Sequence, residues 1–147
     1  MRTWEDVLAA IGIALGGDPE QGRHDLLSCW ADTRETDHAH RCVLAHYLAD
    51  LETDLAAEVR WDEQALASFA NVNDADLVPV GIPAAAGLAP SLHLNLGDGY
   101  LRQDRAPEAQ EHLNAGVAAL SALPDDGYSA MIRRGLTGLQ ERLAAKS

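Results

Sequence analysis

The side chains in this chain that could bind a metal or move a proton gather on one stretch. His38, Cys42, His46 and Asp50 follow one another at steps of four. On a helix that spacing stacks imidazole, thiol and carboxylate groups one above another, a donor set that suits zinc. The same steps drift around the helix by about 40° each, so four such groups do not converge on one ion. Ala45 and Ala49 flank Cys42 and offer the alternative, a small-residue strip against another helix with Cys42 as a small core residue. His38, Cys42 and His46 are therefore weak metal candidates, and no cofactor is expected.

Asp62 raises a different question. It falls within the apolar arc of Leu55, Val59, Leu66 and Phe69, beside Trp61. An ionised carboxylate there needs a charge or hydrogen-bond partner, and His46, His93, Arg41 and Arg60 are the candidates. Joined by His46 and His93, Asp62 would form an acid–base or ligand-capture site, the core of a small metal- or ligand-binding, enzyme-like protein. The same set also reads as a buried structural pair, or as the wet margin of a wide amphipathic face. No nucleophile elbow, phosphate-binding glycine loop, HExxH or GxGxxG occurs, so catalysis has no positive support and no enzyme is expected.

The elements that must position these residues are helices, because apolar side chains recur at three- and four-residue intervals almost throughout. Trp4, Val7, Leu8, Ile11 and Leu15 make one face, opened by a Thr3/Asp6 capping pattern and closed by Gly16-Gly17. Asp18-Pro19 starts a second helix through Leu26, Leu27 and Trp30. Asp37 can cap a third with Leu44, Leu48, Leu51 and Leu55 on one face, and Thr53 or Asp54 a fourth through Phe69. Pro107 suits the first turn of a later helix, and Tyr128, Ile132, Leu139 and Leu143 mark the last. Residues 71–89, interrupted by Pro79 and Pro83, read as a long loop.

The stretch "SLHLNLGDGYL" (91–101) tests this reading, because alternating leucines before Asp98-Gly99 also suit a β-hairpin. A hairpin needs a second strand, and "YLRQDRAPEAQ" is too charged to be one. Leu92, Leu96 and Tyr100 fall at four-residue steps, so a helix is expected. Gly97 and Gly99 would cost such a helix about 2 kcal/mol relative to alanine, a cost borne where a neighbouring helix approaches closely.

In "LNLGDGYLRQDRAPEAQEHL", Leu96-Gly97, Tyr100, Ala109 and Leu113 stand at the spacings of a tetratricopeptide repeat, and residues 90–123 resemble one. A degenerate copy over 37–72 has Leu44, Leu48, Ala49 and Asp50, then Ala65 and Phe69. The resemblance implies an all-α, single-domain tetratricopeptide-like array of antiparallel helix-turn-helix units over 1–147, with terminal capping helices at 4–16 and 128–145. The fragments "LAHYLADLETD", "WDEQAL" and "PSLHLNL" are similar to small bacterial tetratricopeptide-like proteins of unknown function. The resemblance also implies a non-catalytic protein–protein interaction module that holds a peptide in a concave groove. His46, Asp50, Asn95, Asp98 and Arg102 would line it, with Asn95 gripping a peptide backbone.

Composition narrows the partner. The formal net charge of −12 disfavours nucleic acid, whose binding rests on basic side chains. Residues 1–80 hold 16 acidic and 5 basic side chains, against 7 and 6 in the rest. That imbalance reads either as a solvated acidic surface or as attraction for a basic or neutral protein partner. The run "VLAAIGIAL" (7–15) follows Glu5 and Asp6, unlike a signal peptide, and is too short to span a bilayer, so no membrane partner is expected. Two cysteines are too few for a disulfide framework, and a reducing cytoplasm is the expected location.

Overall fold

A computed structural model describes residues 3–82 and 84–146, which are helical with no strand among them. Among the described residues there are seven α-helices: α1 Trp4–Leu15, α2 Pro19–Ala31, α3 His38–Asp50, α4 Leu55–Phe69, α5 Ala89–Arg102, α6 Ala106–Ala118 and α7 Gly127–Ala145. The segment read as a loop contains two short 3-10 helices, Asp74–Val80 and Ala85–Leu88, and a third, Ala119–Ala122, follows α6.

Helix ends follow local chemistry. Thr3 and Asp6 form a reciprocal capping box at α1, Asp18 accepts from the Gln21 amide with Pro19 in the first turn of α2, and Asp54 caps α4 through Ala57. Gly17, at φ 108°, takes the left-handed conformation that ends the first helix cheaply. Asp37 stands at the N-terminus of α3 but makes no side-chain cap there; its Oδ2 accepts from the Arg34 amide at 2.7 Å instead. Leu51 caps the end of α3 and Leu55 begins α4, so these two leucines do not extend the α3 face as its spacing suggested.

The chain forms two compact units, Met1–Pro83 and Ala84–Ser147. The first is built from two hairpins, α1–α2 and α3–α4, with the 3-10 helix Asp74–Val80 against α1. Leu26, Leu44, Leu48 and Leu77 are fully buried in it, and each such side chain contributes about 1.5–3 kcal/mol of hydrophobic stabilisation. Two expected core residues of α1 are not there. Leu8 is 42% and Leu15 74% exposed; Val7, Ala10 and Ile11 make the buried stripe, a narrower one than the spacing suggested.

In the second unit α5 and α6 form a hairpin against which α7 packs. A Cβ built on Gly97 would lie 3.4 Å from the Ala109 carbonyl oxygen, and one on Gly116 3.6 Å from the Pro90 oxygen. Positions rising along α5 thus meet positions falling along α6, and the pair is antiparallel. Gly97 also faces Leu139 while Leu94 faces Gly135, so α7 runs parallel to α5. The stretch 91–101 is helix throughout, and Leu92, Leu96 and Tyr100 are its buried face. Among the described residues no single helix is long and apolar enough to cross a membrane.

Candidate functional site

The first unit holds an open pocket of about 460 Å³. Three remote segments meet there: Trp4 at the start of α1, Thr36 to His40 at the start of α3, and Asn71, Asn73, Ala75, Asp76 and Pro79 after α4. The Trp4 and His40 rings stack at 4.0 Å with planes 17° apart, fixing the start of α1 against α3. Burial holds the His40 imidazole below its ordinary value, and the Asp37 carboxylate pulls it back up. Asp37 and Asp76 each commit Oδ2 to a backbone amide, that of Arg34 at 2.7 Å and that of Asn73 at 2.9 Å. Their backbone tethers fix where the two carboxylates stand at the rim. Lined by carboxylates, imidazoles, amides and one indole, the pocket suits a positively charged or hydrogen-bonding group.

Of the proposed metal ladder, His38 lines this pocket, while Cys42 is fully buried further along α3. Burial pushes the Cys42 thiol up to about 12, so the thiolate that a metal needs is costly to form. Among the described residues no group of three or more His, Cys, Asp and Glu could hold a metal ion. The drift of four-residue steps around the helix is the physical reason.

His46 is half-buried, its ring edge-on to Tyr47 at 5.5 Å. Burial keeps His46 below its ordinary value against the pull of Asp50. Asp50, at the exposed end of α3, is pushed up by the protein around it, against the pull of His46 and with the push of Glu58. Both shifts favour the uncharged forms. Asp62 is buried, 4% exposed, on the inner face of α4. Arg41, one candidate partner for it, lies over the Trp30 ring at 4.9 Å and donates from Nε to Thr33 Oγ1 at 2.9 Å; Arg60, another, is exposed.

His93 belongs to the second unit, where its Nδ1 lies 3.0 Å from His112 Nδ1 across the α5–α6 hairpin. Asn95 is half-buried on the same helix. Asp98, expected to line the groove, is held by two arginines: Oδ2 accepts from Arg102 at 3.0 Å and Oδ1 from Arg142 of α7 at 2.7 Å. Arg102 is thereby drawn along α5 to Asp98 rather than standing free. The residues proposed for one groove therefore divide, with His46 and Asp50 in the first unit and Asn95, Asp98 and Arg102 in the second.

Spacing along the chain did not reveal the pocket. The visible signal was "TDHAH" (36–40) followed by "NVNDAD" (71–76), two polar runs flanking the α3–α4 hairpin. No known protein family, curated protein or solved structure matches the chain.

Proposed function

We propose that this protein is a non-catalytic protein–protein interaction module and that its first unit captures a basic side chain of a partner in the pocket between Trp4, Asp37, His38 and Asp76. One observation carries the reading: two backbone-tethered carboxylates share an open pocket with an indole. A lysine ammonium or arginine guanidinium matches both features, by charge and by attraction to an aromatic face. Residues 1–80, with 16 acidic and 5 basic side chains, supply a field that draws a cation inward. The antiparallel α5–α6 hairpin with Gly97 against Ala109, and α7 parallel to α5, supports a tetratricopeptide-like origin for the scaffold. Two buried cysteines fit a reducing, cytoplasmic setting.

The test is fluorescence anisotropy with three labelled heptapeptides that differ at one central position: lysine, norleucine or glutamate. Parent protein binds the lysine peptide best, binding weakens as salt rises, and Asp37→Asn with Asp76→Asn removes the preference while leaving the circular dichroism melt unchanged. Equal binding of all three peptides, or an unaltered preference in the double variant, would overturn the reading.

A further inference from the structure

His93 on α5 and His112 on α6 meet through their Nδ1 atoms at 3.0 Å. Their ring centroids are 5.3 Å apart and their planes differ by 27°. The centroid separation exceeds the nitrogen gap by about two imidazole radii, so the two nitrogens lie on the line between the rings and point at one another. Rings end to end in nearly one plane form an N–H···N hydrogen bond rather than a face-to-face stack. In such a bond one ring carries its proton on Nδ1 and donates; the other carries its proton on Nε2 and accepts. Adding a proton to the accepting Nδ1 removes the acceptor, and once both rings have gained one, two cations stand nose to nose.

The surroundings leave little room to relieve that conflict. The Tyr100 ring lies against His112 at 5.5 Å, under the Arg105 guanidinium at 4.2 Å. His93 Cβ stands 3.3 Å from the place of a Cβ on Gly116, and His112 Cβ 3.5 Å from one on Gly97. The helices are therefore at close range on both sides of the pair. Around the pair, α5 contributes Tyr100 and, between His93 and Tyr100 in the chain, Asp98, held by Arg102 and Arg142. From α6 come Glu108, tied to Arg105 at 2.6 Å, and exposed Glu111. The side chains α7 presents to the glycines here are Leu136 and Leu139.

We propose that the His93–His112 pair is a proton-operated latch on the α5–α6 hairpin, closed while one ring stays neutral and keeps its accepting nitrogen, and opened when mild acid leaves both rings cationic. Burial first, and His112 second, hold His93 below its ordinary value of 6.5, so the latch is closed at neutral pH. An unfolded chain takes up that proton near 6.5 before the folded hairpin does. Stability is thus full above that value and is lost as pH falls below it, the loss completing beneath the lowered folded value.

His40 and His46 in the first unit are lowered too, so a global melt would blur the effect, and the readout must be local. Hydrogen exchange of the full chain is followed by mass spectrometry from about pH 7.5 to about pH 5, corrected for intrinsic exchange. In the parent, corrected protection of α5 and α6 falls several-fold on acidification across that range. H93Q and H112Q remove that acid-dependent fall. A parent whose α5–α6 protection follows the same pH course as both variants would overturn the latch. Should the variants not fold, nitrogen NMR of the parent imidazoles decides: opposite tautomers at neutral pH are expected, and two Nε2–H rings titrating independently at the ordinary value would overturn it.

Discussion

The two units join helices by opposite means. In the first, the hairpins meet through rings and charges: Trp4 stacks on His40, Trp30 stands edge-on to Trp61 at 5.0 Å, and Glu52 Oε1 accepts from both Arg23 at 2.9 Å and Trp61 Nε1 at 3.2 Å. In the second, leucines of α7 enter hollows left by glycines: Leu139 sits over Gly97 and Leu136 over Gly116. Polar and aromatic seams set direction, because a ring or carboxylate has few satisfactory positions. Aliphatic seams tolerate small shifts, because a leucine tip can turn. The polar pocket lies in the first unit, while residues 81–147 hold nearly balanced charge, 7 acidic and 6 basic side chains.

The same substitution meets backbone in one unit and the tip of a side chain in the other. Gly22 of α2 crosses α1 so closely that an added Cβ would lie 2.4 Å from Ala14 Cβ and 2.5 Å from its Cα. Backbone cannot turn aside, so Gly22→Ala is expected to lower stability by about 3 kcal/mol or more in urea unfolding. A loss under about 1 kcal/mol would mean that α1 slides freely. Asp62→Ala comes next, at about 2–3 kcal/mol, because truncation strands whatever compensates a buried carboxylate. Asp62→Leu, which fills the space, should cost clearly less; equal melts for Asp62→Ala and parent would show that the carboxylate is not held.

Effects in the second unit are smaller. Asp98→Ala removes two ion pairs whose arginine side chains are 41% and 49% exposed, and the expected loss stays under about 1 kcal/mol, shrinking further in high salt. Gly97→Ala is expected to change the melt least. The new methyl would press on the Leu139 Cδ2 tip at 2.9 Å, with the Ala109 carbonyl oxygen at 3.4 Å and His112 Cβ at 3.5 Å beyond it, and alanine regains about 1 kcal/mol of helix propensity over glycine. A loss matching that of Gly22→Ala would mean that the Leu139 tip cannot turn aside.

What the sequence disclosed was local. Capping at Thr3 and Asp18 and the helix over 91–101 could be read because each depends on residues within one or two turns, and the cap of α4 was narrowed to Thr53 or Asp54, of which Asp54 makes it. Contacts fixed by register were partly legible. Once Gly97 faces Ala109, one turn back on α5 and one turn onward on α6 bring 93 opposite 112, so the histidine pair was implied by the small-residue match though not drawn from it. The pocket was out of reach, because Trp4, His38 and Asp76 come together only through the angles at which α1, α3 and the 3-10 helix Asp74–Val80 meet. The exposure of Leu8 and Leu15 was hidden for a related reason: how wide a helix stripe is covered depends on its neighbours, and here α1 is covered over a narrow arc.

Cys42 carries a consequence of another kind. With no solvent contact and a thiol pushed up to about 12, it presents almost no nucleophile while α3 and α4 stay closed. A disulfide reagent can reach it only during excursions that part the hairpin. The rate at which the thiol is consumed then counts those excursions directly, as a clock set into the core. In a Cys29→Ala background, which leaves one thiol to react, that clock times the first unit's breathing without label, chromophore or denaturant.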